Sequence, residues 1–242
     1  MDLDLIDAHD PRALTIWRDL EARTQPSYFL STPWVEAWLA SLPDDALPQL
    51  AVTLDGTAAC WIGRRAMRRH GVLPSRALYL NATGVERYDE LCIEHNKILG
   101  NGAAFIAALP TDWDELFLAA VDEASMPDLG ALRGYRVRID HESCAPFVDL
   151  DAVRASEAGY LALLGSNTRN QLRRSRRIIG NLDLEVARDE ATALDIYGEL
   201  LRLHARTWAD RGKPGAFADP WFERFHRRLI TSRIATGEIQ LL

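Results

Sequence analysis

Two apolar runs, residues 49–54 and 57–63, flank the dipeptide Asp55-Gly56, and together they leave few folds open to this chain. An Asp-Gly pair supplies the positive φ angles of a tight two-residue turn, so the runs predict a β-hairpin and exclude an all-helical architecture. Helix signals surround it. Asp10-Pro11 places a capping residue before proline at the first helical position, with Leu14, Trp17 and Leu20 following at helical spacing. Thr32-Pro33 repeats the pattern ahead of Trp34, Val35, Trp38, Leu39 and Leu42, which share one face. Residues 76–80 predict another strand, 112–125 a helix from Asp112, and 135–139 an alternating strand. The class is therefore α/β or α+β, and a hydrophobic fraction of 48% is enough to fill its core.

A composition shift after Pro146 marks a junction at Phe147-Val148-Asp149-Leu150 and divides the chain into domains 1–150 and 151–242. The second begins with a helix capped by Ser166 or Asn167, running to Ile179 and stopped by Gly180. Leu182, Leu184 and Val186 then alternate as a strand. A long helix from Glu190 to Arg211 and another opened by Asp219-Pro220 follow, with Phe222, Phe225, Leu229 and Ile234 inward. The last five residues, Glu238 to Leu242, read as a strand with no partner after it, so the second domain is expected to be incomplete. No apolar run approaches the roughly 20 residues of a membrane helix, and the acidic start is unlike a secretory signal, which predicts a cytoplasmic protein without a membrane span.

The net charge of −7 is uneven: residues 1–150 carry about −10 and residues 151–242 about +3. That split favours an anionic ligand on the second half over general nucleic-acid binding, and DNA is not expected. Arg169, Arg173, Arg174, Arg176 and Arg177 fall within one helix, at least three sharing a face. Guanidinium forks hold phosphate or carboxylate bidentately, so Arg169 and Arg173 are candidate substrate-binding residues; the other reading is a solvated basic face. His204, Arg206, Trp208 and Arg211-Gly-Lys-Pro-Gly form a second cluster, with His204 and Trp208 one turn apart. A neutral imidazole takes a proton from an amine near physiological pH, which makes His204 the candidate base, against the reading of a satisfied core histidine. Arg206 and Trp208 are assigned to substrate binding beside it.

Gly100 and Gly102 lie in a turn that could present backbone N–H groups to a phosphate, although such a pair is more commonly just a turn. Glu94-His95-Asn96 upstream is polar but has no partner identifiable by spacing. Cys60, Cys92 and Cys144 are odd in number and lack metal-ligand spacing, so reduced, mostly buried thiols and no metal site are expected. HExxH, GxSxG and the Walker pattern are absent, which leaves zinc protease, serine hydrolase and P-loop chemistry without support.

Three segments in order, Phe29-Leu-Ser-Thr-Pro-Trp34 with Trp38, the arginine run after Ser166-Asn-Thr-Arg169, and His204-x-Arg-x-Trp208-x-x-Arg-Gly212, resemble the CelD-like proteins of the GNAT acyltransferase superfamily, which are similar to the Fem-type transferases. The resemblance implies tandem GNAT-like units, each a mixed sheet flanked by helices, with the second unit continuing beyond Leu242. It also implies an acetyl-CoA or other acyl-CoA cofactor and acyl transfer to an amine of a small molecule or of a polysaccharide or envelope precursor. A Fem-like aminoacyl transfer from tRNA and a non-catalytic GNAT-like binding module are the alternatives. Residues 151–242 lack the Gln/Arg-x-x-Gly-x-Gly/Ala turn that holds the coenzyme A pyrophosphate in GNAT proteins, so weak acetyl-CoA binding by this chain is expected.

Overall fold

The computed structural model describes residues 3–90 and 93–242. Its centre is a mixed sheet built from β1 (Leu3–Ile6), β2 (Gln49–Thr53), β3 (Ala58–Arg69), β4 (Leu73–Leu80), β5 (Leu99–Gly100) and β6 (Glu115–Phe117). The order is β1-β2-β3-β4-β6, with β5 beside the start of β3. Neighbours are antiparallel except β4 and β6, which run parallel.

The sheet separates two apolar cores, and β3 shows why. Side chains alternate along a strand, so Ala59 and Trp61 enter one core while Ala58, Cys60 and Ile62 enter the other. On β2, Leu50 and Val52 face the first core and Ala51 the second. The first core is covered by α1 (Pro11–Thr24), α2 (Thr32–Leu39) and α9 (Pro220–Arg233), the second by α4 (Gly102–Ala108). The short α3 (Glu86–Asp89) adds the buried Tyr88.

Local chemistry explains the helix starts. Asp10 accepts a hydrogen bond from the Arg12 N–H at 2.9 Å with Pro11 at the first position, and Ala13, Trp17 and Leu20 form the buried stripe. Asp219 caps α9 in the same way through Trp221 N–H at 3.1 Å. α9 seats on α2 through Trp34 and Phe225, whose rings meet edge-on at 4.8 Å, while Trp221 Nε1 donates to the Arg87 carbonyl at 3.0 Å.

Two compact units result: residues 3–134 with 187–241, and residues 135–186 with Leu242. The grouping differs from the expected division at position 150 because the apolar face of α9 is part of the core begun by α1 and α2. The second unit holds α5 (Leu150–Ala155), α6 (Tyr160–Leu163) and α7 (Ser166–Ile179), and α8 (Glu190–Ala209) belongs to the first.

Several local expectations are corrected. The hairpin loop is four residues, 54–57, and Gly56 alone in it has positive φ; the Thr53 hydroxyl accepts from Thr57 and Ala58 N–H and replaces the two-residue turn. Residues 112–125 form no long helix. Asp114 instead exchanges backbone and side-chain bonds with Arg76, which docks β6 alongside β4. Residues 135–139, 182–186 and 238–242 are not strands, since none meets a ladder partner. Leu182 and Leu184 are 73% and 71% exposed, and the last run makes one backbone bond, from Ala187 N–H to the Leu241 carbonyl. The residue at the N-cap of α7 is Gly165 rather than Ser166 or Asn167. Cys60 is buried, which pushes its thiol pKa up, Cys144 is exposed, and Cys92 lies outside the described residues. No described helix is long and apolar enough to cross a membrane.

Candidate functional site

The His204 cluster forms because α8 carries apolar and aromatic residues on one side and then reverses tightly. Asp189 caps the helix through the Thr192 N–H at 2.9 Å. Ala193 and Tyr197 are buried, and His204 and Trp208 continue the same side, half-buried. After Ala209 the chain folds back, with Arg211 and Lys213 N–H both donating to the Trp208 carbonyl. Gly215 (φ +74°) then lies so close that a Cβ there would sit 2.5 Å from His204 Cε1 and 2.8 Å from Trp208 Cδ1. A short 3-10 turn, Ala216–Ala218, delivers Phe217 edge-on to the imidazole at 4.8 Å, and the Trp208 ring lies tilted 5.8 Å from it.

His204 makes no hydrogen bond or ion pair among the described residues. Neither ring nitrogen is engaged by another described residue, which leaves the imidazole available to a ligand. The Arg211 guanidinium stacks over the Trp208 ring at 5.3 Å, a cation–π contact of about 0.5–1 kcal/mol at an exposed site. Arg206 is exposed, and two residues along a helix place it about 200° round from His204, on another face. The structure thus groups His204 with Trp208 and sets Arg206 apart.

His226 in this cluster has no counterpart in the sequence reading, whereas Tyr197 lies on the side of the long helix that also carries His204 and Trp208. His226 on α9 stacks near Tyr197 at 6.0 Å and meets Phe222 edge-on at 4.4 Å. Its Nδ1 donates to the Phe222 carbonyl at 2.8 Å, and burial holds its pKa below the ordinary imidazole value. The Tyr197 hydroxyl is buried without a hydrogen-bond partner among the described residues, and burial, reinforced by Glu223, pushes its pKa up. The signal was available in the i, i+4 spacing of Phe222 and His226.

Arg169 and Arg173 belong to the other unit. Arg169 Nη2 donates to the Leu164 carbonyl at 2.8 Å, so part of its guanidinium is occupied in holding the end of α6. Arg173 is exposed and makes no ion pair among the described residues.

The turn around Gly100 and Gly102 has its own structural explanation. Gly100 has φ +83°, and a Cβ there would lie 2.0 Å from the Thr57 carbonyl oxygen. Asn101 Oδ1 accepts the Ala104 N–H at 3.1 Å, occupying an amide that a phosphate would need. The open recess beside it, about 430 Å³, has Lys97 as its one charged lining side chain among the described residues. Gly100 is accounted for by packing within the chain, while Gly102 has no positive φ and a Cβ there would meet Pro127 Cβ at 3.3 Å.

Residues 166–242 match the family model described as an acetyltransferase (GNAT) domain. No curated protein matches the chain, and no solved structure does. The mixed sheet flanked by helices is consistent with a GNAT-like fold, and the match supports acyl transfer in general.

Proposed function

We propose that this chain is a cytoplasmic, CelD-like N-acyltransferase that moves an acetyl or other acyl group from acyl-CoA to an amine of a small molecule or of a polysaccharide or envelope precursor. GNAT domains generally use acetyl-CoA, which makes it the acyl donor of this reading. The observation that carries the proposal is the GNAT match over residues 166–242, which contains a half-buried imidazole with no hydrogen bond or ion pair among the described residues. His204 is the base that takes the proton from the attacking amine, and Trp208 forms an apolar wall beside it. Arg169, Arg173 and Arg206 are assigned to anionic groups of the substrate. Domains 1–150 and 151–242 remain the proposed evolutionary division, related to the tandem Fem-type arrangement.

The test is release of free thiol from millimolar acetyl-CoA with a panel of primary amines. Wild type should turn over at least one amine, and His204→Gln should lower kcat by about 10²–10⁴ with KM for acetyl-CoA little changed. No release with any amine overturns the reading. A second reading, a non-catalytic GNAT-like module, is favoured by one observation: residues 166–242 contain helices and loops but no strand.

A further inference from the structure

A histidine that moves a proton is ordinarily held by a hydrogen bond at its second ring nitrogen, which fixes both tautomer and orientation. His204 has no such bond among the described residues. Its neighbours are rings and backbone instead: Phe217 edge-on at 4.8 Å, Trp208 tilted at 5.8 Å, and Gly215, where a Cβ would crowd the imidazole Cε1. Packing is therefore what sets the angle of this side chain.

The two rings differ in how they are held. Trp208 lies one turn along the same helix as His204, half-buried, with the Arg211 guanidinium over its ring. Phe217 arrives from the returning segment and is itself tied down. Its ring centroid stands 5.2 Å from Phe222, 5.6 Å from His226 and 5.9 Å from Tyr197. Phe222 and Tyr197 are buried, so Phe217 packs both against the core that α9 covers and against the smaller one around Tyr197. Its backbone is pinned on both sides as well. Gly215 (φ +74°) precedes the 3-10 turn and accepts the Ala218 N–H at 3.3 Å, and Asp219 caps α9 just beyond. An aliphatic side chain at position 217 would supply apolar volume, whereas an edge-on pair of rings favours a particular mutual orientation.

We propose that Phe217 is a positioning residue, its ring fixing the orientation of the His204 imidazole from the aromatic cluster between α8 and α9. The inference rests on the reading of His204 as the base and extends it to the group that aims it.

The test pairs turnover of acetyl-CoA and amine with NMR relaxation of the His204 Cε1–H in histidine-labelled full chain, a signal assigned by its loss in His204→Gln. Phe217→Leu should lower kcat about tenfold to a hundredfold with KM for acetyl-CoA little changed, the cost of a misaimed base. The same variant should make the imidazole more mobile in the absence of any substrate. Phe217→Tyr keeps the ring and should restore both readouts. Melting temperature verifies folding, and Phe217→Met replaces the leucine variant if that one does not fold. A purely structural role lowers the melting temperature and leaves imidazole mobility and kcat of the folded enzyme at wild-type values, which overturns the proposal. So does a folded Phe217→Tyr as impaired as Phe217→Leu, or an effect confined to KM. Failure of the underlying reading looks different: wild type turns over no amine, or His204→Gln keeps full kcat, while Phe217→Leu still loosens the imidazole. That result overturns the catalytic role of Phe217 together with that of His204.

Discussion

Gly215 carries two constraints at once, a left-handed backbone and an imidazole 2.5 Å from where a Cβ would stand. Gly212 has the first without the second, since its φ is +66° and nothing lies within 4 Å. Urea unfolding should therefore separate them: Gly212→Ala costs about 1 kcal/mol for the backbone alone, and Gly215→Ala about 2–4 kcal/mol because crowding adds to it. Equal losses would mean that His204 and Trp208 move aside freely. His226 makes a pH-dependent contribution. Its folded pKa is depressed by burial, so as pH falls below about 6.5 the unfolded chain takes up the proton first. Stability present above pH 6.5 is lost as pH falls through the folded value, with a slope of at most about 1.4 kcal/mol per pH unit. Urea midpoints from pH 7 to 5 should show wild type losing more stability than His226→Gln; parallel curves would refute the assignment.

Among the elements, α9 ties the two ends of the chain's first unit together. Phe225 is fully buried against Trp34 and Trp221, so Phe225→Ala should destabilise by about 3–5 kcal/mol. Because this helix and the sheet share a core, tryptophan fluorescence and far-ultraviolet dichroism should report one common midpoint; two separated transitions would show that α9 is an appendage. Elements with local signals were legible in the sequence: α1 and α9 start at Asp10-Pro11 and Asp219-Pro220 because the cap bonds lie within two residues. Elements that depend on a distant partner were not. β6 exists because Arg76 holds Asp114, 38 residues away, and the alternation at 182–186 and 238–242 found no ladder to join. The candidate site divides in the same way. Spacing along one helix placed His204 beside Trp208, whereas the contacts of Phe217 and His226 needed the return of the chain, and the partners of Asn96 come from two separate segments.

For the whole molecule, the sheet is a wall between two cores, and its central strand changes character along its length. β3 is buried through its first half and then projects four arginines, Arg64, Arg65, Arg68 and Arg69, of which Arg64 reaches Asp112 and Arg69 reaches Glu115. The acidic residues of the first half thus partly serve this strand, so its charge is not simply a counterpart to the basic α7. The first unit is also discontinuous, begun by residues 3–134 and finished by 187–241. During synthesis, the sheet and α1 emerge from the ribosome well before α9, and the face of α2 that meets Phe225 must wait for it. At about 5–20 residues per second that wait lasts roughly 10–40 seconds, during which exposed apolar surface favours chaperone capture or self-association. Slowing translation between residues 134 and 220 would lengthen the exposure, so the chain's vulnerability in the cell is set by the order in which its parts arrive.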